Sequence, residues 1–189
     1  MRLLASALSR LVLAAALLAA PACLPAPSAP PAPGAGATTV VVVRHAEKAT
    51  DDPRDPSLSP AGEERARALR SLLKDAGVAA IYATQYRRTR QTAEPLAQQL
   101  GLAVVERPVS AANASTYAPD LAREIVSTHA GKTVLVVGHS NTVPGIVEAL
   151  SGSAVPPITE SEYDHLFVVV VPAQGPARLF PVRFGSPGA

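Results

Sequence analysis

Two histidines in this 189-residue chain stand where side-chain chemistry is expected. Arg44-His45 follows the β-branched run Thr39 to Val43, and Gly138-His139-Ser140 follows a second apolar run, Thr133 to Val137. An imidazole beside a guanidinium, with a second imidazole just ahead of a helix whose first amides can favour an anion, suits a phosphate group. A single histidine is more often a hydrogen-bonded structural residue. Two at corresponding strand exits, one of them next to an arginine, reverse that expectation. The basic cluster Arg87-Arg88-Thr89-Arg90 reads on its own as a solvated helix face. His129 reads as a partner of a helix dipole and His165 as the border of a strand.

The elements that must position these residues follow from hydrophobic spacing. Thr39 to Val43 has no polar interruption, as expected of a central strand covered on both faces. Ser59-Pro60 starts a helix, with Ser as cap and Pro in the first turn, and Ala66, Leu69, Leu72, Leu73 and Ala76 form its apolar stripe before Gly77. Val78 to Ala83 is a second strand. Ala93, Leu96, Ala97 and Leu100 give the next helix its buried face, with Pro95 expected to kink it and Gly101 to end it. Leu102 to Val105 reads as a short strand, Asp120 to His129 as a helix, and Thr133 to Val137 as a strand. A helix with Pro144 near its start follows, closed by Ser151-Gly152. Leu166 to Val171 and Ala177 to Phe184 read as two strands joined at Gln174-Gly175. Strands alternating with helices imply an α/β three-layer sandwich, a mostly parallel sheet with helices on both faces. Ligands of such sheets bind beyond the carboxyl ends of the strands, where His45 and His139 fall.

Four blocks in this order, Val43-Arg44-His45-Ala46-Glu47, Leu58-Ser59-Pro60-Ala61-Gly62, Arg88 with Gln91-Thr92-Ala93, and Gly138-His139, resemble the histidine phosphatase superfamily, which includes phosphoglycerate mutases. The resemblance implies a phosphoglycerate mutase-like fold and a phosphohistidine formed on His45. It implies that Arg44 and Arg88 clamp the phosphoryl oxygens and that His139 adds a further contact, with Ser140 beside it. The family's spacing to Gln91-Thr92-Ala93 selects Arg88 from the basic cluster and leaves Arg87 and Arg90 as surface charges. Chemistry is consistent with these roles: a neutral imidazole can attack phosphorus and later leave, and phosphoryl transfer is catalysed chiefly by positioning and electrostatics. No metal or cofactor is required if the protein supplies the cations. The expected partner is a small phosphorylated substrate.

The chain departs from the family in its proton donor. Phosphoglycerate mutases place a glutamate after the third strand, whereas Ala111, Ala112 and Ala114 fill that region here. Glu47, nearest in sequence to His45, is the first candidate acid, with Glu162 and Asp164 as alternatives on a later segment and an acidic leaving group as another. Lys48, Asp51, Asp52 and Arg54 could line the entrance, though a solvated loop is their commoner role. The short chain favours a phosphatase over phosphoglycerate mutase-type phosphotransfer. A non-catalytic module that binds a phosphate ligand is the rival reading, supported by the missing glutamate. Gly138-His139-Ser140-Asn141-Thr142 begins like a serine-hydrolase elbow, but Thr142 stands where the sharp turn needs glycine.

Residues 1–22 carry Arg2 and Arg10, an apolar stretch from Leu11 to Ala20, and Ala20-Pro21-Ala22, the pattern of a secretory signal peptide. The apolar run is shorter than the ~20 residues a bilayer span needs. Residues 23–37 are a Pro/Ala-rich tether beginning at Cys23, the chain's one cysteine and a candidate lipid anchor. Residues 38–189 then form the catalytic domain, exported to the periplasm or the exterior as a free or lipid-anchored protein. Without a thiol beyond Cys23, disulfides, a catalytic cysteine and cysteine-based zinc sites drop out. Removing Arg2 and Arg10 lowers the basic count from 17 to 15, equal to the 15 acidic residues. With no basic run and few aromatics, nucleic acid is not an expected partner.

Overall fold

The computed structural model describes residues 36–186; the expected leader, most of the tether and Cys23 lie outside them. One six-stranded sheet has the order β3-β2-β4-β1-β5-β6. Its strands are β1 (Thr38–Arg44), β2 (Val78–Ala83), β3 (Val104–Glu106), β4 (Thr133–Gly138), β5 (His165–Val171) and β6 (Arg178–Arg183). The helices are α1 (Pro60–Leu73), α2 (Arg87–Leu100), α3 (Tyr117–Thr128) and α4 (Val143–Ser151). The expected α/β sandwich is present, with a mixed sheet: β1, β2, β3 and β4 pair parallel, while β5 runs antiparallel to β1 and β6 antiparallel to β5.

Alternation along β1 explains its unbroken apolar sequence. Val41 and Val43 pack with Leu69 and Leu73 of α1 and Ala93 and Leu96 of α2, whereas Val40 and Val42 meet Leu121 and Ile125 of α3 and Ile146 and Val147 of α4. Both faces of the strand are buried, so neither can be polar. Each fully buried Leu or Ile contributes about 1.5–3 kcal/mol, which anchors the layers on which the site rests.

Local rules hold at the helix ends. Ser59 caps α1, its Oγ accepting from the Gly62 amide at 3.2 Å. The α1 stripe is narrower than its sequence suggests. Leu69 and Leu73 are buried, but Leu72 is 53 % exposed, because a residue one position from Leu73 is turned about 100° around the helix. α2 is continuous through Pro95 and closes at Gly101 in the left-handed conformation, φ 65°. β3 starts at Val104, two residues later than the hydrophobic run, and α3 starts three residues earlier than expected, with Pro119 tolerated in its first turn, where amides need no intrahelical partner.

The antiparallel turn of the sheet matters most for the site. β4 ends where β1 ends, since Arg44 pairs with Gly138. β5 begins at that same end, with Leu166 opposite Val43. After α4 the chain therefore returns through residues 153–164 to the carboxyl edge of β1 before descending as β5.

Candidate active site

Adjacent parallel strands bring the two histidines together. The His45 amide donates to the Gly138 carbonyl at 2.9 Å, and the His45 and His139 ring centroids lie 5.2 Å apart. They share a cavity of about 600 Å³ with Arg88, Ser140, Lys48, Tyr86 and Glu160. The cavity's far wall is Val109, Ser110, Ala111 and Ala114, so the alanine-rich stretch supplies no acid, as its sequence suggested.

The segment after His45 is latched by the residues of the second and third sequence blocks. Thr92 Oγ1 accepts from the Ala46 amide at 3.0 Å and itself donates to the Arg88 carbonyl. Gln91 Oε1 accepts from the Leu58 amide at 2.9 Å, and Ala93 is fully buried beneath. The Glu47 carbonyl accepts from the Ser59 amide at 2.9 Å, and a Cβ on Gly62 would stand 2.3 Å from that same oxygen. Gly62 is thus required for close approach of α1 to the segment after His45.

His45 Nδ1 lies 2.8 Å from the Ala46 carbonyl oxygen. A carbonyl only accepts, so Nδ1 carries the hydrogen and Nε2 keeps its lone pair. Burial is the largest influence on this ring; the Ala46 bond opposes it, and the charges of His139, Arg44 and Arg88 add to it, lowering the pKa to about 3. His139 is lowered to about 4, first by burial and then by Arg88 and Arg44. Its Nε2 lies 2.9 Å from Thr84 Oγ1, which continues to Thr89 Oγ1 at 2.9 Å. Both rings are therefore neutral at neutral pH.

Arg44 is buried and Arg88 half-buried, and both are incompletely paired. Arg44 is 1 % exposed; its Nη1 donates to the carbonyls of Thr159 and Glu162 at 2.6 and 3.0 Å, and its Nη2 to Glu160 Oε2 at 3.1 Å. Its guanidinium carbon sits 4.2 Å from the Tyr163 ring centroid, and that of Arg88 sits 4.5 Å from Tyr86. Arg44 Nε, Arg88 Nε and Arg88 Nη1 are buried with no hydrogen-bond partner among the described residues, the nearest carboxylate to Arg88 Nη1 being Asp55 at 3.7 Å. Buried cationic donors left unpaired are costly, and such a cost is met by an anion. Arg88, His45, His139 and Ser140 line the cavity; Arg44 lies beside it, reaching it through Glu160. Arg87 and Arg90 are surface charges paired with Asp51 and Glu106.

Glu47 is not brought into the site. Its carboxylate is gripped by Arg65, whose Nε lies 3.0 Å from both oxygens and whose Nη2 lies 2.7 Å from Oε1. Burial would raise its pKa, but the Arg65 hydrogen bond and charge outweigh that and hold it below the usual range. The candidate acid nearest in sequence therefore serves packing between α1 and the chain end, where Arg65 also holds the Phe184 and Ser186 carbonyls. Glu162 is tied to Thr159 and His165, and Asp164 to Arg183; neither lines the cavity. Asp51 and Asp52 hold their own loop through Ser57 and the Arg54 and Asp55 amides, so of the entrance residues only Lys48 lines the cavity. The carboxylate that does line it, Glu160, was not singled out by sequence. Its signal was faint: it lies two residues from Glu162, on the same segment.

The amino-terminal half of the described region carries three of the four blocks, and residues 40–109 match the family model "Histidine phosphatase superfamily (branch 1)". The match likens this part of the chain, 70 of its 189 residues, to that superfamily. The histidine phosphatase resemblance read from the motifs is thus borne out. Solved structures share the fold. Mycobacterial glucosyl-3-phosphoglycerate phosphatase is similar with a TM-score of 0.59 and 15 % identity, over 76 % of this chain and 97 % of that one. The protein histidine phosphatase SixA complexed with tungstate gives 0.56 and 21 %, over 77 % and 96 %. Phosphoserine phosphatase from Entamoeba histolytica in complex with 3-phosphoglyceric acid gives 0.57 and 14 %, over 79 % and 97 %. At these identities the likeness concerns the fold. No curated protein matches the chain by sequence.

Proposed function

We propose that this protein is a metal-independent phosphatase that hydrolyses a phosphomonoester through a phosphohistidine on His45. The observation that carries the reading is the set of unpartnered buried donors on Arg44 and Arg88 around a neutral imidazole with a free Nε2. Nε2 attacks phosphorus as the bond to the leaving oxygen breaks, and water then displaces the phosphoryl group from Nε2. The arginines stabilise charge on the phosphoryl oxygens, and bound phosphate raises the proton affinity of His139, so that its second nitrogen becomes a donor. The glucosyl-3-phosphoglycerate and phosphoserine phosphatases with this fold favour a small phosphorylated substrate. The leader and Cys23 support export, with or without a lipid anchor.

The rival reading, a phosphate receptor without turnover, drew on the lack of an acid, and Glu160 on the cavity wall weakens it. Phosphate release from p-nitrophenyl phosphate and a panel of phosphorylated metabolites, with wild type and His45→Ala, tests the proposal. Turnover abolished in the variant, with phosphate found on His45 by mass spectrometry in quenched wild type, is expected. Phosphate binding without turnover in wild type would convert the enzyme into a receptor, and phosphoryl shuffling on a phosphoglycerate without net release would make it a mutase.

A further inference from the structure

We propose that Glu160 is the acid–base residue of this site, giving a proton to the leaving oxygen in the first step and taking one from water in the second; this rests on the phosphohistidine reading above. Among the described residues it is the one carboxylate lining the cavity that holds His45 and His139. Its side chain is 72 % exposed, so it can move, yet it is aimed inward by three contacts: Ser140 Oγ at 2.8 Å on Oε1, and Arg44 Nη2 at 3.1 Å and Lys48 Nζ at 3.2 Å on Oε2. The return of residues 153–164 to the carboxyl edge of β1 puts it there, and the carbonyls of Thr159 and Glu162 on Arg44 pin the segment on either side of it.

Without a ligand, Glu160 is a counterion. Ser140 and Lys48, then Arg44, lower its pKa to about 2, and it in turn raises that of neighbouring His139. A phosphoryl dianion reverses this balance. It draws on Arg44 and Lys48 for its own charge and places negative charge beside the carboxylate, and both effects favour the protonated acid. The steps then balance. As the Nε2–P bond forms and the P–O bond breaks, the Glu160 carboxyl proton passes to the leaving oxygen, releasing the alcohol. As water oxygen attacks phosphorus and the Nε2–P bond breaks, a water proton returns to Glu160, leaving neutral His45, free phosphate and the acid restored.

The test is the leaving-group dependence of kcat/KM in wild type, Glu160→Gln and Glu47→Gln. A general acid typically contributes about 10²–10⁴-fold where the leaving group needs a proton and far less where it does not. Glu160→Gln is expected to lose about 100-fold or more on glycerol phosphate, an alkoxide leaving group, and a much smaller factor on p-nitrophenyl phosphate. Glu47→Gln keeps the wild-type dependence. Equal losses on both substrates for Glu160→Gln would reduce Glu160 to a positioning residue. Gains on both, with lower KM, would make it an anion that merely competes with substrate. Either result overturns the proposal, whereas absent turnover in wild type overturns the phosphatase reading itself. Phosphate binding by the variant, followed by thermal shift, confirms that the cradle is intact.

Discussion

Gly62→Ala is the sharpest test of how the second motif block serves the first. In an ordinary helix the change is stabilising by about 1 kcal/mol, because alanine loses less backbone entropy than glycine. Here the added Cβ would stand 2.3 Å from the Glu47 carbonyl oxygen and 3.0 Å from the Glu47 amide nitrogen. Those atoms are backbone and cannot rotate away, so the overpacking cost falls near the upper end of the usual range, about 3 kcal/mol. The net expectation is a loss of about 2 kcal/mol, a fall in Tm of roughly 4–8 °C for a domain of this size. Because Glu47 lies two residues from His45, kcat/KM should fall as well. Gly145→Ala, inside α4 with Ala118 Cβ at 3.4 Å as its nearest contact, is the matched control and should be neutral or stabilising. Thermal melts and p-nitrophenyl phosphate turnover of both variants decide the matter. A Gly62→Ala protein as stable and active as wild type would refute the claim that α1 is docked on the segment after His45 through this glycine.

Two further expectations come from the buried charges. Arg88→Met removes a guanidinium with two unpartnered buried nitrogens, so Tm should hold or rise while phosphate no longer raises it and turnover drops about 10²-fold or more; a large loss of stability would show that Arg88 is held for structure instead. The pKa values of His45 and His139, lowered to about 3 and about 4 by burial first, mean that unfolding takes up protons below about pH 6.5, so stability is full above that pH and falls as pH drops toward 4 and 3. Tm measured across this window should decline less steeply in His45→Gln than in wild type; parallel slopes would contradict the neutral buried imidazole.

Elements whose cause is local were legible from residue order. Thr38–Arg44, Val78–Ala83 and Thr133–Gly138 announce themselves as strands because both faces of each must be apolar, and Ser59-Pro60 and Gly101 mark helix ends through capping and the left-handed turn. Arg44, His45, Arg88 and His139 could be selected because motif residues sit at fixed offsets from those elements. The stripe of α1 was less legible at Leu72, since 100° of rotation separates a buried neighbour from an exposed one. The antiparallel entry of β5 had no local signature: its apolar run fits either direction, and only pairing with β1 across more than a hundred residues chose one.

That choice decided which carboxylate lines the cavity. Chain order puts Glu47 two residues from His45, and nothing in it reveals that Arg65 takes that carboxylate away, because the partner lies 18 residues on, in a helix whose docking is set by Gly62. Glu160, 115 positions after His45, reaches the cavity because β5 descends beside β1 and the segment before it must return to the carboxyl edge. Residue types and spacing were enough to mark the two strand ends where His45 and His139 meet, since strands and helix caps are governed by contacts a few residues apart. Which carboxylate lines the cavity depended on strand pairing and side-chain partnership, long-range contacts that form only when the layers close.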